Sequence, residues 1–229
     1  MSNPKIAIVS PFRQSGSDKV DAYFSRAYAL NGQERLAWYL VEGDSTDDTF
    51  DRLSRYEYDD SRILLIKSDT GRPHYGSTIH PERFKNLAQV FNAGLDAVDL
   101  DWADFVMFLP SDVFYEPDLV DRLAGWNKDL IAPMFWADEG NHGRFYDIWG
   151  FRHQGQSFQP ATPAWFEANF PQSEPLEMDT VGGCIVMRSE VLKAGCRYTE
   201  SDVDHGLCRA AQAAGFRVWA DLHTHIFHP

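Results

Sequence analysis

No stretch of this 229-residue chain reaches the run of about 18 apolar residues that a membrane-spanning helix needs. The opening residues, MSNPKIAIVSPFRQ, lack the basic, apolar and small-residue zones of a secretory leader. The expectation is a soluble, cytoplasmic protein with no membrane contact. Cysteine is scarce. Cys184, Cys196 and Cys208 are odd in number and show no paired metal spacing, which predicts reduced thiols in a core rather than a disulfide or zinc framework. Basic residues are also short, 21 against 34 acidic, for a formal charge of −13, and this argues against a broad footprint on a phosphate backbone while leaving room for a local basic cleft. The first apolar run is not followed by Gly-x-Gly-x-x-Gly, no Gly-Lys-Ser/Thr occurs, and no serine stands in a nucleophile elbow. Dinucleotide oxidoreductases, P-loop NTPases and serine hydrolases are thereby disfavoured.

What is present is core-forming material, 44% apolar and 14% aromatic, in an order that alternates strand and helix. Ile6 to Val9 reads as a first strand ending at Ser10-Pro11, with Arg13 just beyond. Val20, Tyr23, Phe24, Ala27 and Leu30 recur at helical spacing and stop near Asn31-Gly32. Leu36 to Val41 is a second strand. Ser45 followed by Asp48 resembles a capping box opening a helix over 46–56. Ile63 to Ile66 is a third strand. A polar loop carrying Arg72, His74 and Tyr75 then leads to Pro81, which opens a helix with Phe84, Leu87, Ala88, Phe91 and Leu95 on one face.

The five apolar residues Phe105 to Leu109 predict a strand covered on both faces. Its carboxyl end delivers Pro110-Ser111-Asp112, and Pro117 opens a helix over about 118–126. Leu130 to Met134 is a further strand. The alternation predicts an α/β doubly wound sheet with helices on both faces. Residues 135–179 break the pattern with ten aromatic residues, among them Tyr146, Trp149, Trp165 and Phe166. A stretch of that length without regular elements reads as a lid or binding loop. A strand over 182–187, helices over 189–194 and 201–214, and a strand over 216–220 follow, and the last strand leads to His223, His225 and His228.

In open α/β sheets ligands lie beyond the carboxyl ends of the strands. Those ends present Arg13, Glu42, Asp44, Asp112 and the late histidines. Carboxylates and an imidazole suit a divalent cation, which would neutralise a diphosphate leaving group. Arg83, Lys85 and Asn86 could add phosphate contacts near a helix start.

At these residues the chain resembles the glycosyltransferases of GT-A fold. Glu42-Gly43-Asp44-Ser45-Thr46-Asp47-Asp48-Thr49 looks like the D-[DG]-x-S-x-D-x-T segment of family 2-like enzymes. Pro110-Ser111-Asp112 falls where their D-x-D metal motif sits, Gly182-Gly183-Cys184 resembles their Gly-Gly strand, and Glu200 to Arg209 resembles their E-D-x-[DE]-L-x-x-R segment. Ser111-Asp112-Val113, Tyr146-Asp147-Ile148-Trp149 and Glu200-Ser201-Asp202 are similar to fungal capsule-associated and mannan-type mannosyltransferases.

The resemblance implies one GT-A domain over 1–229. Residues 1–134 would form the nucleotide-sugar half, and 135–229 the acceptor half with its loop 135–179. It implies transfer of a hexose-type sugar from a UDP- or GDP-sugar to an acceptor saccharide, protein hydroxyl or modified nucleobase, assisted by Mn2+ or Mg2+. Expected nucleotide-sugar contacts are Pro11, Arg13, Glu42, Asp44, Arg83, Asn86, Ser111 and Asp112. Expected metal ligands are Asp112 with His225 or His223, and expected acceptor-side catalytic groups are Asp202, Glu200 and Asp147. Pro110 replaces the first carboxylate of D-x-D, so Asp112 alone remains from that motif. Two other readings are a nucleotidyltransferase that makes nucleotide sugars and a non-catalytic nucleotide- or carbohydrate-binding module. Against the former, residues 11–17 only poorly approximate a Gly-rich, cationic loop.

Overall fold

Alternation of apolar side chains along each central strand buries both faces of one sheet. The computed structural model describes residues 3–73, 75, 80–137, 144–158, 168–170 and 174–229. The strands are β1 (Ile6–Phe12), β2 (Leu36–Glu42), β3 (Ile63–Lys67), β4 (Phe105–Phe108), β5 (Leu130–Ala137), β6 (Arg144–Phe145), β7 (Arg152–His153), β8 (Gln156–Ser157), β9 (Leu176–Met178), β10 (Ile185–Arg188) and β11 (Val218–His228). The helices are α1 (Gly16–Ala27), α2 (Thr49–Asp59), α3 (Pro81–Ala97), α4 (Leu119–Gly125), α5 (Ser189–Lys193) and α6 (Val203–Ala213). Ile6, Ile8, Trp38, Leu40, Met107 and Ile131 meet α1, α2 and α4 through Val20, Phe24, Leu53 and Leu123. Ala7, Val9, Val41, Val106, Phe108 and Ala132 meet the other three helices through Ala88, Leu95, Val191, Leu207 and Ala211. Each fully buried side chain of this size contributes about 1.5–3 kcal/mol.

The sheet runs β3-β2-β1-β4-β10-β5-β11-β9, with β6 on β5. β1 is parallel to β2 and β4, β2 to β3, and β11 to β5. β10 lies antiparallel between β4 and β5, pairing Ile185 with Phe108 and Val186 with Ile131. Being reversed, it brings its amino end, with Gly182-Gly183, to the edge where β4 and β5 bring their carboxyl ends. The expected doubly wound architecture is present, with this reversed strand inserted.

Three local expectations are corrected. No capping box forms, since α2 starts at Thr49 with Asp48 as a cap that makes no side-chain cap bond. Ser45 Oγ instead accepts from the Gln14 N–H, Thr49 Oγ1 from those of Ser15 and Gly16, and Asp48 Oδ1 from that of Ser17. The segment fastens the turn between β1 and α1. Pro117 precedes α4 rather than opening it, because Asp118 is the cap. The final strand extends to His228, eight residues past its expected end. Of loop 135–179, β6 to β9 are described, whereas His74, Trp165 and Phe166 lie outside the described residues.

Candidate active site

From β1 the chain crosses toward β2, whereas β4 lies on β1's other side. Between those two carboxyl ends lies the switch point where open α/β sheets bind ligands. A cleft of about 620 Å³ opens there. Pro11 and Pro110 line its sheet edge, and Arg83, Phe84, Leu87 and Phe91 of α3 form one wall. The apolar face of α3 is thus divided, with Ala88 and Leu95 in the core and Phe84, Leu87 and Phe91 facing the cleft. Phe108, Phe135, Ala137 and Arg144, with Tyr146 to Gly150, Gly183 and Asp202 to His205, complete the lining.

Beside this cleft, Asp112 follows β4 with its side chain 56% exposed, and His228 Nε2 lies 3.3 Å from its Oδ2. Partial desolvation raises the Asp112 pKa, but His228 draws it below the usual carboxylate value. Asp112 in turn raises the His228 pKa. Register explains the choice of histidine. β11 shifts its pairing with β5 between Asp221 and His225. The buried Asp221 carboxylate organises this bulge by accepting from the His223 N–H, Thr224 Oγ1 and Trp126 Nε1. Beyond it, Phe227 and Phe114 exchange backbone hydrogen bonds of 2.8 and 2.9 Å, which sets His228 beside Asp112.

His225 Nε2 contacts the Leu222 carbonyl, and its ring meets Trp136 edge to face, so burial lowers its pKa. The His223 N–H joins the Asp221 turn. The imidazole beside Asp112 is thus that of His228, rather than that of His225 or His223, the two expected as its metal partners. No group of three or more His, Cys, Asp or Glu side chains able to hold a metal occurs among the described residues.

The other expected donor contacts form a layered support. Glu42 is fully buried, ion-paired to Lys67 and accepting from the Ser45 N–H. Asp44, at φ 58, accepts from Thr70 Oγ1 and from the N–H groups of Thr70 and Gly71. Burial opposes its ionisation, but these bonds and Arg13 hold its pKa below the usual range. Arg13 donates to the Arg72 carbonyl, and Arg72 donates to the buried Asn86 Oδ1. Ser111 offers its carbonyl to Arg26. Of the expected donor set, Pro11 and Arg83 line the cleft itself.

Tyr146 links the two ends. Its ring stacks on His228 at 4.4 Å and 9°, and partial burial together with the charges of Asp112 and Asp147 raises its pKa. At the far end Asp147 Oδ1 accepts from the Gly150 N–H at 2.8 Å. Its Oδ2 is sealed from solvent and has no hydrogen-bond partner. Burial raises the Asp147 pKa against the pull of the Gly150 N–H, His205 and Arg152.

Three glycines make room for this carboxylate. A Cβ on Gly150 or Gly182 would sit 2.6 Å from Asp147 Oδ2, and one on Gly183 3.4 Å from it. Asp204 enters from the first turn of α6, with its Oδ2 3.0 Å from the same Gly182 position. Burial and then the charges of Asp147 and Asp202 push its pKa up to about 8. Asp202 binds His205 Nδ1 at 3.2 Å and Arg209 at 2.9 Å, and His205 Nε2 contacts the Trp149 carbonyl at 2.6 Å. Glu200 is exposed and outside the cleft lining. Sequence reasoning counted His228 among the late histidines without choosing it, and gave no site role to Asp204 or His205. For Asp204 the Gly-Gly pair was the available signal, because it leaves space that something must fill.

No family model matches the sequence. A 69-residue stretch, 30% of this chain, is 32% identical to a glycosyltransferase 25 family member of Aedes aegypti, covering 11% of that protein. Among solved structures, Staphylococcus aureus TarS 1–349 with UDP-GlcNAc superposes at TM-score 0.62 and 14% identity. The mannosyltransferase PcManGT of Pyrobaculum calidifontis, with GDP-Man and Mn2+, gives 0.65 at 12% identity. GalNAc-T7, with UDP, GalNAc and Mn2+, gives 0.68 at 12% identity. These superpositions cover 97%, 99% and 98% of this chain, but 58%, 57% and 44% of the respective neighbours. The chain spans less than two thirds of every one of these proteins. The mixed, mostly parallel sheet with helices on both faces matches these structures over nearly the whole chain, and the chain has the GT-A fold.

Proposed function

We propose that this chain is a glycosyltransferase that moves a hexose-type sugar from a UDP- or GDP-sugar to an acceptor hydroxyl. The observation that carries this reading is the placing of two chemistries about one cleft. A carboxylate–imidazole pair stands beside it, past the carboxyl end of β4, partly desolvated carboxylates line its far end, and Tyr146, stacked on His228, lies between them. The solved neighbours with nucleotide sugars and Mn2+ support the same reading through their fold.

The residues present fit a divalent cation. Asp112 Oδ2 and His228 Nε2, 3.3 Å apart and both partly open to solvent, offer a hard oxygen and a borderline nitrogen. Two protein ligands leave positions for water and phosphate oxygens. Bound there, Mg2+ or Mn2+ would neutralise charge on the departing diphosphate. Arg83 would steady phosphate from α3. Arg13, Asp44 and Asn86 would shape the base-binding wall through the loop at residues 69–72. Trp149 and Tyr146, 61% and 44% exposed, present aromatic faces on which a pyranose acceptor or donor can stack. In transfer, the acceptor oxygen bonds to the anomeric carbon and its proton passes to a cleft carboxylate. The bond from that carbon to the diphosphate breaks, with the electron pair leaving on the diphosphate. Of the three expected acids, Asp147 and Asp202 line the acceptor end and Glu200 does not, so these two are the candidates to receive that proton.

Thermal-shift titration with UDP, GDP and their sugars, with and without Mn2+, tests this reading. One nucleotide should stabilise the protein, more so with metal. Asp112→Asn and His228→Ala should weaken the metal-dependent part at least 10–100-fold, the cost of losing even an outer partner of a metal site. No stabilisation by any nucleotide would sink the proposal. Binding without release of nucleoside diphosphate from any sugar donor would make the chain a binding module.

A further inference from the structure

The acceptor end holds more acid than one proton transfer needs. Asp147 Oδ2 and Asp204 Oδ2 both lie within 3.0 Å of the Cβ position of Gly182, so the two carboxylates are neighbours. No cation forms a salt bridge with either among the described residues, whereas Asp202 has both oxygens engaged by His205 and Arg209. The groups facing the pair are Asp202, His205 and Cys208 from α6, Arg152 from β7, and Tyr146 and Tyr198 from the flanking segments. The N–H groups of Gly150 and Gly183 also point at them. None of these closes on Asp147 Oδ2, which stays sealed and without a donor.

Two adjacent desolvated carboxylates without a counter-ion cannot both ionise cheaply, and their titrations belong to the pair. A buried oxygen without a donor is satisfied when it shares a proton with its neighbour. We propose that Asp147 and Asp204 form a proton-sharing dyad, ionised once between them, that receives the acceptor proton during transfer. The shared proton lies between Asp147 Oδ2 and Asp204. As the acceptor oxygen bonds to the anomeric carbon, its own proton moves to the dyad's single negative charge, and the dyad becomes neutral. Asp204 acts through Asp147, as a positioning residue that keeps the pair protonated once at neutral pH. This deepens the glycosyltransferase reading and rests on it for the transfer step.

The test combines infrared or carbon NMR titration of protein labelled with 13C-aspartate and the pH profile of nucleotide-sugar hydrolysis. In the wild type one buried aspartyl proton should persist at neutral pH and leave near the value of about 8 assigned to Asp204. In Asp204→Asn the remaining Asp147 signal should titrate at lower pH. The acidic limb of kcat reports protonation of the singly charged dyad, so it should move toward higher pH once the shared proton that stabilises this charge is gone, with KM for the donor little changed. Asp147→Asn should shift the Asp204 titration downward and serves if the first variant fails to fold. Both carboxylates ionised at mildly acidic pH in the wild type would overturn the dyad, as would an unshifted profile in Asp204→Asn. A shared proton in a protein that binds no nucleotide would instead overturn its role in transfer and, with it, the glycosyltransferase reading.

Discussion

Gly182 is the residue on which the carboxylate end of the cleft turns, because its missing side chain is the space two carboxylates occupy. In Gly182→Ala the new methyl would sit 2.6 Å from Asp147 Oδ2, 3.0 Å from Asp204 Oδ2 and 3.1 Å from Gly150 Cα. Something must shift. The half-buried acids and the Gly150 backbone must give way, so overpacking should cost about 1–3 kcal/mol, read as a lower denaturant midpoint with an unchanged slope. Unaltered stability would show that the carboxylates are free to move apart. At this scale the sequence was informative where a residue ends a strand. Asp112 stood out for that reason. Asp204 did not, since an acid in the first turn of a helix is accounted for by the helix dipole. Its pairing with Asp147 depends on a reversed strand that local patterns do not announce.

Among the elements, β11 decides where the histidines go. Three late imidazoles were visible in the sequence, but their order along a strand says which faces Asp112 only if the side chains alternate without interruption. The bulge between Asp221 and His225 breaks that alternation, so neither expected histidine reaches Asp112 and His228 does. Asp221 holds the bulge by accepting from Trp126, Thr224 and the His223 N–H. Asp221→Ala should strand these donors, at about 1–3 kcal/mol for each that stays buried and unpaired. It should also loosen His228 from Asp112, so that the Mn2+-dependent share of nucleotide stabilisation falls more than the metal-free share. Equal loss of both shares would separate the bulge from the placement of His228. The α3 helix teaches a related lesson. Its periodicity gave the apolar face correctly, but no pattern distinguishes core from cleft wall, and Phe84, Leu87 and Phe91 prove to be the latter.

Across the whole molecule, the strand–helix alternation was legible because every central strand is buried on both faces and every helix has one apolar side. The insertion of β10 between β4 and β5 was not, because antiparallel pairing at long range leaves no local signature. The arrangement it creates should appear in the pH dependence of stability. The Asp204 pKa rises from an ordinary 3.8 to about 8 in the fold, so folding favours its protonated form. The sign follows from linkage: its contribution is fully present below about pH 4, declines as pH rises, and is lost once pH passes about 8. Asp44, Asp47 and Asp60 have lowered values, so they act in the opposite direction, with their stabilisation lost only as pH falls below the usual carboxylate range. Removing the Asp204 carboxylate should therefore stabilise the protein most on the alkaline side. Asp204→Asn keeps the shape and discards the charge, so its melting temperature should exceed that of the wild type by a margin that widens from mildly acidic to mildly alkaline pH. The gain should reach at most a few kcal/mol, since the group keeps some contact with solvent in the cleft. A margin that stays flat across that range, in paired thermal melts of the two proteins, would mean that Asp204 is ionised in the folded state at neutral pH.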